Sequence, residues 1–125
     1  MAPYSVRSRV YVAGPLSIGD VRGNIERGIR MGEKLSLLGY APFIPHYDML
    51  WDKESVAGTP NYEVYLERDF SFITVCQALL RLSGESKGAD REVKWAHMVD
   101  VPVFHTLDSL LESISPIQFV EVRFP

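Results

Sequence analysis

The sequence predicts an α/β protein built on an open parallel sheet of four to five strands with helices on both faces. The first observation is an alternation of short apolar runs with helical periodicities, β-α-β-α-β-α-β-α, along 125 residues. The second is chain length and composition. With 46% hydrophobic and 23% charged residues, the chain matches ordinary globular proteins and is long enough to bury a core without disulfides or a structural metal. The third is that strands interleaved with helices imply a parallel sheet, because a parallel return requires a crossover.

Residues 9–13, RVYVA, are β-branched and aromatic and stop at Gly14-Pro15, which predicts a buried strand followed by a loop. Between Asn24 and Leu38, Ile25, Gly28, Ile29, Gly32 and Leu35 recur at helical spacing, with Gly39 placed to cap the end. The glycines on that stripe allow close packing against a sheet. APFIP at 41–45 predicts a second strand bounded by prolines, and HYDMLWDKESVAGTP at 46–60 reads as loop. Thr59 as N-cap and Pro60 at the first helical position predict a helix on which Tyr62, Tyr65, Leu66, Asp69 and Ile73 share a face. QALLRL at 77–82 is a third strand, followed by a loop and a helix bearing Glu92. VPVF at 101–104 is a fourth strand, leading into a short helix over Leu107 to Ser113, and FVEVRF at 119–124 is a candidate last strand. Without repeats, low-complexity tracts or a pooled Pro/Gly linker, residues 1–125 read as a single domain.

Several function classes are disfavoured. A net charge of -3 and a pI near 5.6 do not suit a nucleic-acid polymer as partner, although a local pocket for one small anion remains compatible. The only cysteine, Cys76, cannot form an internal disulfide and fits a reducing cytoplasm. MAPYSVRSR lacks a signal-peptide core and no run approaches the roughly 18 apolar residues of a membrane span, so neither export nor a membrane partner is expected.

In open α/β sheets ligands bind beyond the carboxyl ends of the strands. Three loops qualify: AGPLSIGD, the long loop after the second strand, which begins near His46, and SGESKGAD. The first presents Gly14, Pro15 and Ser17 with backbone N–H groups suited to sugar or phosphate oxygens, yet matches neither GxGxxG nor GxxxxGK[ST]. The alternative is a plain turn in which Gly14 ends a strand. In the third, Ser86, Gly88 and Ala89 keep the backbone open to a ligand. Glu92 is expected at or near the helix start, where the macrodipole would favour its ionised form by ~0.3–1 kcal/mol and make it a nucleophile. The alternative there is simple helix chemistry.

Asp69 stands on an apolar stripe, where a carboxylate must be hydrogen-bonded, paired or neutral, and where desolvation would raise its pKa and suit it to donate a proton. The alternative is an aspartate bonded to a nearby loop or helix end. Two carboxylates in unlike settings can divide the work of cleaving a glycosidic bond, one attacking or stabilising the sugar carbon and one protonating the leaving group. His46, His97 and His105 lack zinc-ligand spacing, so no metal and no cofactor is expected. Tyr47, Trp51 and Trp95 could stack on a base or anchor the core, and Cys76 reads as a core residue.

VYVAGP, Asp69 ahead of VCQALLRL, and the S-x-G-A-x-x-E pattern ending at Glu92 together resemble the nucleoside 2-deoxyribosyltransferase superfamily over residues 9 to about 104. That superfamily includes deoxynucleoside 5′-monophosphate N-glycosidases. The resemblance implies a Rossmann-like fold, a nucleophile at Glu92, base departure or return assisted by Asp69, and a Tyr11 that positions the nucleophile. It also implies that the loop with Gly14 and Ser17 covers the sugar or phosphate. Where transferases acting on free nucleosides carry an aspartate six residues before the glutamate, this chain has Ser86, as the monophosphate hydrolases do, followed by Lys87.

The resemblance therefore implies a hydrolase cleaving the N-glycosidic bond of a (deoxy)nucleoside monophosphate. A nucleoside 2-deoxyribosyltransferase and a non-catalytic nucleotide-binding module are the alternatives. The partner expected is a small-molecule nucleotide or nucleoside, and assembly as a homodimer or higher homo-oligomer is implied. HYDMLWDKESVAGTP is longer than a minimal version of the fold requires. SGESKGADRE shares only the outline of the PGGxGTxxE motif of lysine-decarboxylase-like phosphoribohydrolases.

Overall fold

The computed structural model describes residues 4–47 and 62–121. Four strands, β2 (Arg9–Ala13), β3 (Ala41–Phe43), β4 (Ala78–Arg81) and β5 (Val103–Phe104), form one parallel sheet in the order β3-β2-β4-β5. Helices α1 (Val21–Leu37), α2 (Tyr62–Thr74), α3 (Lys87–Met98) and α4 (Leu107–Ser113) connect and cover it. The architecture is the Rossmann-like open sheet expected.

Strand alternation produces the two layers. Val10 and Val12 of β2, with Ala78 and Leu80 of β4, pack against Leu35 of α1 and Leu110 of α4. Tyr11 and Ala13, with Leu79, face the other way onto Ile73 of α2 and Ala89 and Ala96 of α3. Because both faces are covered, the central strands read as continuous apolar runs rather than alternating ones.

Helix α1 begins three residues before the sequence expectation. Asp20 supplies the N-cap, its carboxylate accepting from Gly23 N at 3.0 Å, so the helix forms ahead of the apolar stripe. Gly39, at φ +95°, ends it as expected. The second strand is shorter than 41–45. Pro45 opens a 3-10 turn over Pro45–Tyr47 instead, consistent with a fixed φ and a missing N–H. Pro42 is tolerated because β3 is an edge strand. Thr59, Pro60 and loop residues 48–60 lie outside the described residues.

The C-terminal strand is corrected. β6 runs over Ile117–Val120 and pairs antiparallel with β1 (Tyr4–Arg7), a strand that sequence reading omits, and not with the main sheet. Neither strand carries an alternating pattern with one buried face, so periodicity gave no signal. Ser8 ties this ribbon to the body, its N–H donating to the Pro116 carbonyl at 2.7 Å and its hydroxyl to the Ser115 carbonyl at 2.5 Å.

The sheet order places the change of connection direction between β2 and β4, whose following loops diverge to α1 on one face and α3 on the other. A crevice opens there in doubly wound sheets.

Candidate active site

The loop after β2 is shaped by a buried residue of α1. Asn24 Nδ2 donates to the carbonyls of Ile18 at 2.8 Å and Leu16 at 3.2 Å, fixing residues 14–20 across the crevice. At the base of that loop a Cβ on Gly14 would stand 2.9 Å from Leu82 Cβ, so the two divergent loops meet where only glycine fits without a shift. Pro15 is buried and does not line the cavity. A Cβ on Gly84 would lie 2.7 Å from its ring, which makes Pro15 a wedge between loops.

The loop after β4 is organised by Arg81. Its guanidinium donates to the carbonyl of Leu82, to that of Gly84 at 2.9 Å, and to Asp90 Oδ1 of α3 at 3.1 Å. A buried cation thus sits inside the curve of the loop that it shapes. Ser86 caps α3, its Oγ accepting from Ala89 N at 3.1 Å.

Between these loops lies a cavity of about 600 Å³. Its polar lining includes Ser17, His46, Asp69, Ser86 and Glu92, with Gly14 and Gly88 giving open backbone. Leu16, Ile18, Pro45, Tyr62, Tyr65 and Leu66 form an apolar wall. The two carboxylates picked from sequence therefore face one cavity, both buried and from different helices.

Glu92 does not stand in the first helical turn, as sequence reading expected. Because Ser86 caps a helix beginning at Lys87, Glu92 falls in the second turn and Asp90 is the first-turn acid. The macrodipole fades within the first turn, so local bonding, not helix position, governs Glu92. Tyr11 Oη donates to Glu92 Oε2. Tyr11 is fully buried beneath the cavity and does not line it. Burial first, and then the Glu92 and Asp69 charges, hold its hydroxyl well above the usual phenol pKa, so it stays a donor. The Asp69 charge acts on the same hydroxyl, so both acids bear on one phenol.

Asp69 is partnered, which meets the requirement set by its position on an apolar stripe. Arg68 places Nη2 3.2 Å from Asp69 Oδ1. His46 is 1% exposed, and neither ring nitrogen has a hydrogen-bond partner among the described residues. Its ring lies on Gly28 of α1, where a Cβ would come within 2.5 Å of Cγ. Burial lowers its pKa, the nearby Pro15 carbonyl partly opposes this, and the Arg27 charge adds to the lowering.

Trp95 is not a base-stacking residue. It stacks on Phe70 with centroids 5.0 Å apart and donates to the Phe70 carbonyl at 3.1 Å, bracing α2 against α3. Tyr47 stands off the cavity, in a shallow depression with Phe43 and Phe72, and Trp51 lies outside the described residues. His97 and His105 are exposed and stand off the cavity, and Cys76 is buried in the core. Sequence reading missed Arg81 and Asn24. Each interrupts an apolar stretch with a polar group, Arg81 in a buried strand and Asn24 on the buried stripe of α1, and that interruption was the available signal.

No protein-family model matches the sequence, and no curated protein matches it. Solved structures share the fold. A 2-deoxyribosyltransferase from the psychrotolerant bacterium Bacillus psychrosaccharolyticus superposes with a TM-score of 0.59 at 18% identity, over 77% of this chain and 69% of that one. A conserved protein from Enterococcus faecalis V583 gives a TM-score of 0.61 at 14% identity, over 89% of this chain and 78% of that one. At these identities the likeness is one of fold. No helix among the described residues is long and apolar enough to cross a membrane.

Proposed function

We propose that this protein is a glycosidase of the nucleoside 2-deoxyribosyltransferase type, cleaving the N-glycosidic bond of a (deoxy)nucleoside monophosphate. The observation that carries the reading is the pair of buried carboxylates, Asp69 and Glu92, facing one cavity at the strand switch point, with Tyr11 bonded to Glu92 from below. The fold shared with a 2-deoxyribosyltransferase supports the same reaction class.

In this reading Glu92 attacks C1′ and the C1′–N bond breaks, its electrons leaving with the base while Asp69 supplies a proton to the departing nitrogen. Asp69 then takes a proton from water, whose oxygen bonds C1′ and releases Glu92 as a carboxylate. Tyr11 donates to Glu92 throughout and so holds the carboxylate in its attacking orientation. The apolar wall of Leu16, Ile18, Tyr62, Tyr65 and Leu66 takes the base. Gly14, Ser17, His46, Ser86 and Gly88 take sugar or phosphate oxygens, with Pro15 acting indirectly by holding the loops.

The second reading, favoured by the named fold neighbour, has a second base in place of water as acceptor. Chromatography of base release across nucleosides and their monophosphates, with and without an acceptor base, separates the two. Glu92→Gln is expected to lower base release by at least ~10³-fold, as loss of a covalent nucleophile does. An unchanged rate in that variant rejects the mechanism. Tight calorimetric binding with no base released on long incubation makes the protein a binding module instead. Assembly as a homodimer or larger homo-oligomer belongs to the same reading, and a monomer by light scattering at working concentration counts against a shared site.

A further inference from the structure

Ser86 offers less to a ligand than its place in the sequence suggests. Its oxygen already accepts from Ala89 N at 3.1 Å, which leaves one lone pair and the O–H for the cavity. The N–H groups of Lys87 and Gly88, at the first positions of α3, have no intrahelical acceptor by helix geometry. His46, buried and unpartnered among the described residues, lines the same cavity, an independent sign that a polar ligand belongs there.

What distinguishes this corner is its charge. Glu85 and Lys87 flank Ser86 and both line the cavity. Neither enters an ion pair or a side-chain hydrogen bond among the described residues, with each other or with anything else. The neighbouring cations are committed: Arg81 to loop carbonyls and Asp90, Arg27 to Asn24 and the Ser83 carbonyl, Arg91 to Glu63. Lys87 is the only lysine or arginine lining the cavity among the described residues, and Glu85 is a carboxylate there that does not belong to the Asp69–Tyr11–Glu92 group. A ligand group arriving at the start of α3 thus meets one uncommitted charge of each sign.

Resting on the reading that the ligand is a nucleoside or its monophosphate, we propose that Glu85 and Lys87 set the preference between a 5′-phosphate and a 5′-hydroxyl at this site. Lys87 draws the phosphate toward the open N–H groups. Glu85 opposes its negative charge and is indifferent to a hydroxyl, so the two side chains pull the choice in opposite directions. The pocket accordingly accepts both classes, with a ratio that either residue can shift.

The experiment measures calorimetric affinities for the four 2′-deoxynucleosides and their 5′-monophosphates, in the Glu92→Gln protein so that turnover does not intrude. The comparison is then repeated with Glu85→Gln and with Lys87→Gln added. Glu85→Gln is expected to raise the monophosphate-to-nucleoside affinity ratio by about three- to tenfold and Lys87→Gln to lower it by a similar factor. Both effects are expected to shrink in ~0.5 M salt, as exposed charges are screened. A ratio that stays within about twofold for either variant, or that moves in the same direction for both, overturns the inference while leaving the glycosidase reading intact. Failure of both ligand classes to bind at millimolar concentration overturns the nucleotide reading and this inference with it.

Discussion

Tyr11 reaches the cavity's lining from outside the cavity. Its hydroxyl is the buried donor that bonds Glu92 Oε2, and the Asp69 charge also acts on it. Removing it in Tyr11→Phe leaves the shape of the core and takes a partner from a buried carboxylate, a change that costs about 1–3 kcal/mol in such settings. Because Tyr11 does not line the cavity, Tyr11→Phe is expected to lower kcat by about 10- to 100-fold with KM within about threefold of the parent, read from steady-state base release. A KM that rises while kcat holds would mean that the phenol meets substrate directly. Asp69 was legible because a carboxylate on an apolar stripe demands a partner, and Glu92 because an open loop was expected to deliver it to a helix start. The local setting of Glu92 was not legible, since it depends on a strand residue 81 positions earlier.

At the level of elements, the site depends on α1 approaching the sheet closely. Two glycines of its buried stripe make that approach, and they differ in what they meet. A Cβ at Gly32 would strike the terminal Cδ1 of Ile44 at 2.0 Å, a flexible end that can rotate away. A Cβ at Gly28 would strike the His46 ring near its root, at 2.5 Å from Cγ, and that ring is boxed in. Gly28→Ala is therefore expected to destabilise by about 1–3 kcal/mol in urea unfolding and to raise KM by displacing His46. Gly32→Ala should cost less, because part of the clash relaxes and alanine recovers up to ~1 kcal/mol of helix propensity. The reverse order would contradict this packing.

Arg81 makes a second test at the same scale. Arg81→Met keeps the length of the buried side chain and removes every bond that curves the loop after β4, leaving the Leu82 and Gly84 carbonyls and Asp90 without that donor. The loop carrying Ser86 is expected to exchange its amide hydrogens at least ~10-fold faster, with β2 protection unchanged. Loss of protection throughout the sheet would show instead that Arg81 holds the whole fold.

For the whole molecule, two buried titratable groups outside the carboxylate pair bound the pH range of stability. His46 has a lowered pKa, from burial and the nearby Arg27, so between its folded value and the ordinary ~6.5 the unfolded chain binds more protons. Its contribution is complete above ~6.5 and is lost as pH falls through the folded value. Cys76 is pushed up to about 11 by burial, so the folded chain holds its proton longer and stability declines as pH rises from the ordinary thiol range toward about 11. Thermal unfolding across pH 5–10 should show a fall on each side, the acid limb flattening in His46→Gln and the alkaline limb in Cys76→Ala. Limbs identical to the parent in both variants would assign the titration elsewhere.

The sequence by itself determined the layered α/β arrangement, because buried parallel strands and covering helices leave strong periodic signals at 9–13, 77–82 and along the α1 stripe. It also marked Asp69, through the cost of placing charge among apolar neighbours, and Glu92, through the open loop ahead of its helix. Only the tertiary structure decided what surrounds them. The ribbon of β1 and β6 and the phenol that bonds Glu92 depend on contacts between segments distant in the chain, and the loops curved by Arg81 and Asn24 depend on single side-chain bonds to carbonyls. Such contacts impose no repeat on the residues that make them, and so they leave no local pattern to be read.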